Sequence, residues 1–331
     1  MTENTSEAAP LISTPPLAPQ KPVRREHHGD VVVDPYEWLR EKENPEVIAH
    51  LTAENAYADA RMSHLDGLRE RVVGEITSRT LETDMGIPVR EGDWWYYGRT
   101  VEGLQYGIQC RVAAAPIDPA NPDDDAPESI AAWTAPPPLD DPSQPREGEQ
   151  VVFDSNVEAA GHDFFALGTF DVSDDGTWLL FGVDTEGDER YTLRIRNLLT
   201  GETLPDTIAD TGAGAFFSPD GQFVFYTTVD ESWRPDTVWR HRVSTDPADD
   251  VTVFHEPDDG FWVGAGRTRS RAYLVIETSS SITSEARVLD ASTPEGEFEV
   301  VWPRRAGVEY DLEHARIDGR DLWLITHNHD A

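Results

Sequence analysis

Between residues 83 and 307, four short apolar strands recur at a near-constant period, most of them behind a polar turn. The strands are 94–97, 178–183, 223–229 and 273–278, and a fifth lies at 322–326. The turns ahead of them include Glu91-Gly92-Asp93, Ser173-Asp174-Asp175-Gly176, Ser218-Pro219-Asp220-Gly221, Thr268-Arg269-Ser270-Arg271 and Asp318-Gly319-Arg320. Glycine tolerates a positive φ at such a turn, and Asp or Ser closes it through the side chain. Gly176 and Gly221 stand 45 residues apart, Gly221 and Arg271 50, and Arg271 and Gly319 48. A second strand begins 12, 13, 14 and 12 residues after the start of each of the first four, at Tyr106, Tyr191, Thr237 and Glu285. A third closes each unit at 151–153, 204–208, 251–254 and 298–302, and upstream strands fit at 87–90, 169–172, 215–217 and 261–265. Four strands in a unit of 45–50 residues are the signature of β-propeller blades. A β-sandwich does not need matched offsets.

One interval breaks the period, for Gly92 and Gly176 are 84 residues apart. The excess falls in 113–150, with nine prolines from Pro116 to Pro145 and the run Asp123-Asp124-Asp125. This reads as a Pro/Asp-rich loop between the third and fourth strands of the first blade. A calcium site at the Asp run lacks the spaced ligand pattern, so a solvated loop is expected. A fifth blade begins at Val308 and has room for two strands before Ala331. The expectation is therefore an open ring or a piece of a longer chain.

Ahead of the blades, 1–20 reads as a disordered lead-in with no secretory signal, and 21–82 as a helical arm. Asn44-Pro45-Glu46 spells a helix start: cap, first-turn proline, first-turn acid. Val47, Ile48 and Leu51, and later Leu68, Val72 and Ile76, follow at helical spacing, so a helical hairpin packed on something larger is expected.

Composition excludes several function classes. The 63 acidic against 27 basic residues give a formal charge of −36, which leaves no basic face for nucleic acid or for anionic membrane. Only Lys21 and Lys42 among the cations are lysines, and the acidity reads mainly as a solvated surface. It would also attract cationic ligands at long range. No apolar run approaches a membrane span. Cys110 is the single cysteine, so a disulfide framework is excluded and no Cys-based zinc site is expected. A cytoplasmic protein needing no cofactor is the expectation.

His28-Gly29-Asp30, then the run from Asp34 to Arg40 (DPYEWLR), then Glu54-Asn55-Ala56-Tyr57 resemble the N-terminal region of the prolyl oligopeptidase family of serine peptidases. Tyr96-Tyr97-Gly98-Arg99, the runs 161–168 and 187–196, and Trp239-Arg240-His241 are similar to its oligopeptidase B branch (protease II), which cleaves after basic residues. The resemblance covers about residues 22–331, apart from the 113–150 insertion. It implies an incomplete version of the family's seven-bladed propeller, preceded by a helical arm. In that family the propeller gates an α/β-hydrolase domain whose Ser, Asp and His follow it in sequence. The implied partners are short cationic peptides and that catalytic domain, and the chain alone is expected to be inactive. The alternative is a non-catalytic propeller acting as an interaction module.

The residues agree with the lack of catalytic positions. A nucleophile elbow needs Gly-x-Ser-x-Gly, and no such pentapeptide occurs in the 331 residues. No catalytic, cofactor or metal residue is assigned. His327 and His329 read as neighbours on one strand face without a third ligand. His27-His28-Gly29 reads as a surface turn, His162 beside Asp163 as a satisfied structural histidine, Cys110 as a buried apolar residue, and Trp94-Trp95-Tyr96-Tyr97 as blade packing.

Overall fold

The computed structural model describes residues 14–115, 134–136 and 138–330, and the chain divides into two compact units, Met1–Leu81 and Glu82–Ala331. The Asp123-Asp124-Asp125 run and most of the lead-in lie outside the described residues.

The first unit opens with a hairpin, β1 (Val23–His27) and β2 (Asp30–Asp34), in register from Val23↔Asp34 to His27↔Asp30. Its turn residues, His28 at φ 52° and Gly29 at φ 85°, both lie in the left-handed region, which matches the twist of paired strands. This hairpin precedes the helices of the expected helical arm and was not anticipated. Nine of the ten strand residues are exposed, so no in–out alternation marks them, and the Val31-Val32-Val33 run is the available signal. A 3-10 turn, Glu37–Arg40, buries Trp38, whose Nε1–H donates to the Pro19 carbonyl at 3.0 Å. α1 (Pro45–Met62) starts as its sequence predicts, with Asn44 Oδ1 accepting the Glu46 N–H at 2.9 Å. α2 (Asp66–Thr77) follows one 3-10 turn later. Of the two helices only Val47 is buried, while Ile48, Leu51, Leu68, Val72, Val73 and Ile76 are exposed.

The second unit is a series of antiparallel sheets. Blade one holds β3 (Asp84–Met85) and β4 (Val89–Glu91), both paired with β5 (Trp94–Thr100), then β6 (Ile108–Ala113) and β7 (Gln150–Asp154). Its first strand, read at 87–90, is thus two short pieces, and the insertion joins β6 to β7. Blade two is β8 (Ala166–Val172), β9 (Trp178–Asp184), β10 (Tyr191–Asn197) and β11 (Thr203–Thr211). Blade three is β12 (Phe216–Phe217), β13 (Phe223–Val229), β14 (Pro235–Arg242) and β15 (Val251–His255). Blade four is β16 (Trp262–Arg267), β17 (Tyr273–Ser279), β18 (Ser284–Asp290) and β19 (Glu299–Trp302). β20 (Tyr310–Ile317) and β21 (Arg320–His327) begin a fifth.

The second strand of each middle blade is buried on both faces, which is why it reads as a continuous apolar run. On β9, Leu179 and Phe181 pack back on Val152 and Phe153 of blade one, whereas Leu180 packs forward on Val224 and Tyr226 of blade three. On β13 the alternate residues Phe223 and Phe225 turn to Leu274 and Leu289 of blade four. On β17, Val275 turns to Tyr310 and Leu312. Period-2 side-chain alternation therefore sends successive residues of one strand to opposite neighbouring sheets. A sandwich has two sheets, each with a solvent face; this serial packing is that of propeller blades. Each such Leu or Phe stabilises by roughly 1.5–3 kcal/mol on burial.

The turns between first and second strands repeat one geometry. Ser173 Oγ donates to Asp175 Oδ1 at 2.6 Å and accepts the Trp178 N–H at 2.9 Å. Ser218 does the same with Asp220 (2.5 Å) and Phe223 (3.0 Å). In blade four, Thr268 Oγ1 meets Ser270 Oγ at 3.0 Å and accepts the Tyr273 N–H at 3.2 Å. Gly176 and Gly221 take φ 70° and 66°, and Arg271 takes the same conformation at φ 59°.

Candidate functional site

The loops that join second to third strands in blades two and three meet the start of β16 in blade four, and bring aromatic side chains and a carboxylate together. Asp184, at the end of β9, organises the first of these loops. It is 2% exposed. Its Oδ1 accepts the Glu186 and Gly187 N–H groups, both at 2.8 Å, and its Oδ2 the Glu189 N–H at 2.9 Å. Burial works against the charged carboxylate, but the backbone donors of Gly187, Glu186 and Glu189 outweigh it and hold the pKa below the ordinary range. The loop so fixed turns Glu189 into the left-handed region, at φ 60°.

Asp230 builds the equivalent loop of blade three, accepting the Ser232 N–H at 2.7 Å, the Arg234 N–H at 3.1 Å and Arg234 Nε–H at 2.9 Å. Trp233 is held at φ 60°. Its Nε1–H donates to the Asp188 carbonyl at 2.6 Å, and the Arg190 guanidinium stacks 4.8 Å from its ring centroid. Non-glycine residues in this conformation cost about 1 kcal/mol or more each, so the two loops hold Glu189 and Trp233 in place against local strain.

The result is a recess of about 320 Å³. Trp233 and Trp262 form aromatic walls, Tyr191 another, and Glu189 contributes a carboxylate. Gly214 and Gly264 also line it, and a Cβ added at either would meet nothing within 4 Å. Trp233 and Trp262 remain 42% and 56% exposed. Gly168 supports the Tyr191 wall, since a Cβ there would lie 2.2 Å from the Tyr191 ring. Ring faces, backbone and one carboxylate suit binding rather than bond cleavage. Sequence reading quoted the Gly187–Arg196 run (residues 187–196) only as a family likeness and missed Asp184, Trp233 and Trp262; a tryptophan inside the polar run Asp230-Glu231-Ser232-Trp233 is the signal that could have found the recess.

At the opposite, turn end, charges meet across blades. Arg267 Nη2 on β16 lies 2.6 Å from Asp171 Oδ1 on β8. Arg271 pairs with Asp174 of blade two and, at 2.9 Å, with Glu91 of blade one. Arg271, Asp174 and Glu91 border a cleft of about 560 Å³ that Trp94, Tyr96 and Arg269 also line. Burial pushes the Asp171 carboxyl pKa up, with Arg267 opposing.

The other residues singled out in the sequence fall as follows. His327 ends β21 and His329 lies beyond it; both rings pack on Trp302, at 5.3 and 6.0 Å, with 6.4 Å between them. Among the described residues no group of three His, Cys, Asp or Glu side chains is placed to hold a metal. His162, read as a satisfied structural histidine, is exposed, in a cleft of about 260 Å³ with Glu158, Arg194 and Arg196. Cys110 is 1% exposed. Trp95 and Tyr97 are buried and Trp94 stacks under Arg111 at 3.9 Å, so this cluster is blade packing as read.

Residues 15–331 match the family described as prolyl oligopeptidase, N-terminal beta-propeller domain. The chain is 36% identical over its whole length to a dipeptidyl aminopeptidase BI from Pseudoxanthomonas mexicana, of which it covers 44%. It is 32% identical over 94% of its length to protease 2 from Moraxella lacunata, covering 41% of that protein. Among solved structures it superposes on oligopeptidase B from Trypanosoma brucei, determined with covalently bound antipain in a closed form. The TM-score is 0.79 at 29% identity, over 96% of this chain and 43% of that one. Oligopeptidase B from Leishmania major gives a TM-score of 0.75 at 27% identity, over 95% and 44%. The chain thus spans less than half the length of these proteins.

Proposed function

From the premise that the chain belongs to the prolyl oligopeptidase family of peptidases, as its N-terminal β-propeller domain, we propose that it is the arm and gating propeller of an oligopeptidase B-like serine endopeptidase. The complete enzyme would hydrolyse short peptides after Arg or Lys through an acyl-enzyme on a Ser, with Asp and His completing the triad in a separate catalytic domain. The observation that carries this reading is the superposition on oligopeptidase B over nearly all of the chain. The propeller would admit short peptides and exclude folded proteins. The exposed apolar stripe of α1 and α2 offers a surface for the catalytic domain. The −36 charge favours cationic peptides at long range.

The test compares this chain with the product of its complete gene on an N-blocked arginine chromogenic peptide. Hydrolysis by the complete product only, abolished by a serine-directed phosphonate, is the expected result. Hydrolysis by neither refutes the peptidase reading and favours a non-catalytic interaction module. Hydrolysis by the chain alone refutes its assignment as the non-catalytic part. A second reading follows from the 36% identical relative named a dipeptidyl aminopeptidase. Release of dipeptides from free N-termini, with N-blocked peptides left intact, would favour it. An association rate unchanged between low and high salt would remove the steering role of the acidic surface.

A further inference from the structure

The turn of blade four departs from those of blades two and three at one position. In those blades the third turn residue is Asp175 or Asp220, whose carboxylate closes the turn. In blade four it is Ser270, which is exposed. Its Oγ lies 2.8 Å from Nδ1 of His314, on β20 of the next blade, and accepts the Ala272 N–H at 3.2 Å. Glu313 Oε1 accepts the Arg269 N–H at 3.0 Å and the His314 N–H at 2.7 Å, which pins the turn to β20 beside the imidazole.

His314 is fixed in this place. It is 4% exposed, and its ring packs against Tyr273 and Trp323, with centroids 4.8 and 5.1 Å away. Its Nε2 makes no hydrogen bond among the described residues and lies 3.4 Å from Asp321 Oδ1. Arg316 Nε–H donates to the same Asp321 oxygen at 2.8 Å and holds that carboxyl below its ordinary pKa range. A hydroxyl within reach of an imidazole whose far nitrogen faces a carboxylate is the arrangement of an activated nucleophile. Such contacts are often long until a ligand is bound. An aspartate would close this turn as it does in blades two and three, so the turn alone does not require a serine over a buried histidine. Ala272, Tyr273 and Asp321 line a cleft of about 710 Å³ next to the serine, which is room for a small ester.

We propose that Ser270 is a nucleophile that takes an acyl group from activated esters, with His314 as its base and Asp321 as the residue that positions the imidazole. Oγ attacks the ester carbonyl carbon while its proton passes to Nδ1. The tetrahedral adduct then collapses. The bond from the carbonyl carbon to the ester oxygen breaks, that oxygen leaves with the electron pair, and the acyl group stays on Oγ. His314 releases the proton to water. The Ser270 N–H makes no hydrogen bond among the described residues and is the donor available to the oxyanion. One donor suits phenyl esters rather than amides, whose amine is a poor leaving group. The proposal is therefore independent of the peptidase reading and leaves the chain inert to peptides.

The test adds p-nitrophenyl acetate to the chain and follows p-nitrophenolate release together with intact mass. One acetyl group that hydroxylamine removes, as it removes an ester and not a lysine amide, is expected on the native chain and absent from Ser270→Ala. That substitution lies in an exposed turn and should leave the thermal midpoint unchanged. His314→Gln should be acetylated about a hundredfold more slowly, the usual contribution of a positioned base. His314→Ala should regain rate when imidazole is added, which a merely structural histidine would not allow. Asp321→Asn should slow the reaction and Asp321→Glu should recover part of it. A chain that takes no hydroxylamine-labile acetyl, a Ser270→Ala variant that takes one, or an unchanged rate in His314→Gln overturns the proposal.

Discussion

Arg267 Nη2 stands 2.6 Å from Asp171 Oδ1 although 96 residues separate them, and the pair ties the first strand of blade four to the first strand of blade two. Asp171 also accepts the Phe217 N–H from blade three at 2.8 Å, so one carboxylate joins three blades. Its pKa is raised, chiefly by burial, with Arg267 as the main opposing influence. Arg267→Leu therefore strands a buried carboxylate and should cost about 3–5 kcal/mol at neutral pH. The deficit should shrink as the pH falls through the raised pKa, because the protonated acid needs no counter-ion. Urea unfolding midpoints of Arg267→Leu at pH 7 and pH 4.5 check this; an equal deficit at both would rule out the electrostatic cause.

His241 is fully buried between two carboxylates, with Nδ1 2.6 Å from Asp250 Oδ1 and Nε2 3.1 Å from Asp206 Oδ2. Asp206 belongs to blade two and the other two residues to blade three. Ser244 N–H also donates to Asp206, and Tyr226 OH to Asp250. His241→Leu removes the group between the acids and should lower stability by about 3–5 kcal/mol. Adding Asp206→Asn should restore part of the loss, a non-additivity that a double-mutant cycle measures directly.

The Cys110 thiol is pushed up to about 12, first by burial and next by the Glu149 carboxylate 3.4 Å away. A thiol reacts as its thiolate. The native chain should therefore be inert to a disulfide exchange reagent at pH 8 and react with one equivalent once unfolded. The raised pKa also sets a sign: its stabilisation is complete below the ordinary thiol value and is lost as the pH climbs toward about 12. Cys110→Ala should show a shallower alkaline decline, read from thermal midpoints between pH 8 and pH 11.

Gly168→Ala tests the recess from below. The added Cβ would sit 2.2 Å from the Tyr191 ring, which must tilt. Overpacking of this kind costs about 1–3 kcal/mol. The thermal midpoint of this variant should therefore fall below that of Gly74→Ala, where the added Cβ meets nothing within 4 Å. Equal midpoints would mean that the Tyr191 ring yields to the added Cβ without cost.

The sequence by itself determined the blades. Alternating burial within a strand and the Ser-x-Asp-Gly turns are local, so Leu179, Leu180 and Phe181 reveal a doubly buried strand without reference to anything distant. The helix start at Asn44 was legible for the same reason, being a bond between residues two apart. The β1–β2 hairpin was not, because nine of its ten strand residues face solvent and burial imposes no period on them. Only the tertiary structure decided which charges meet and where a ligand could sit. Arg271 shows why: its place in the turn normally suits glycine, and its reason for being arginine lies 97 and 180 residues away, in Asp174 and Glu91. Glu189, Trp233 and Trp262 likewise come from three blades. Their convergence depends on how the sheets are arranged around one another, a property of packing that no stretch of sequence carries alone.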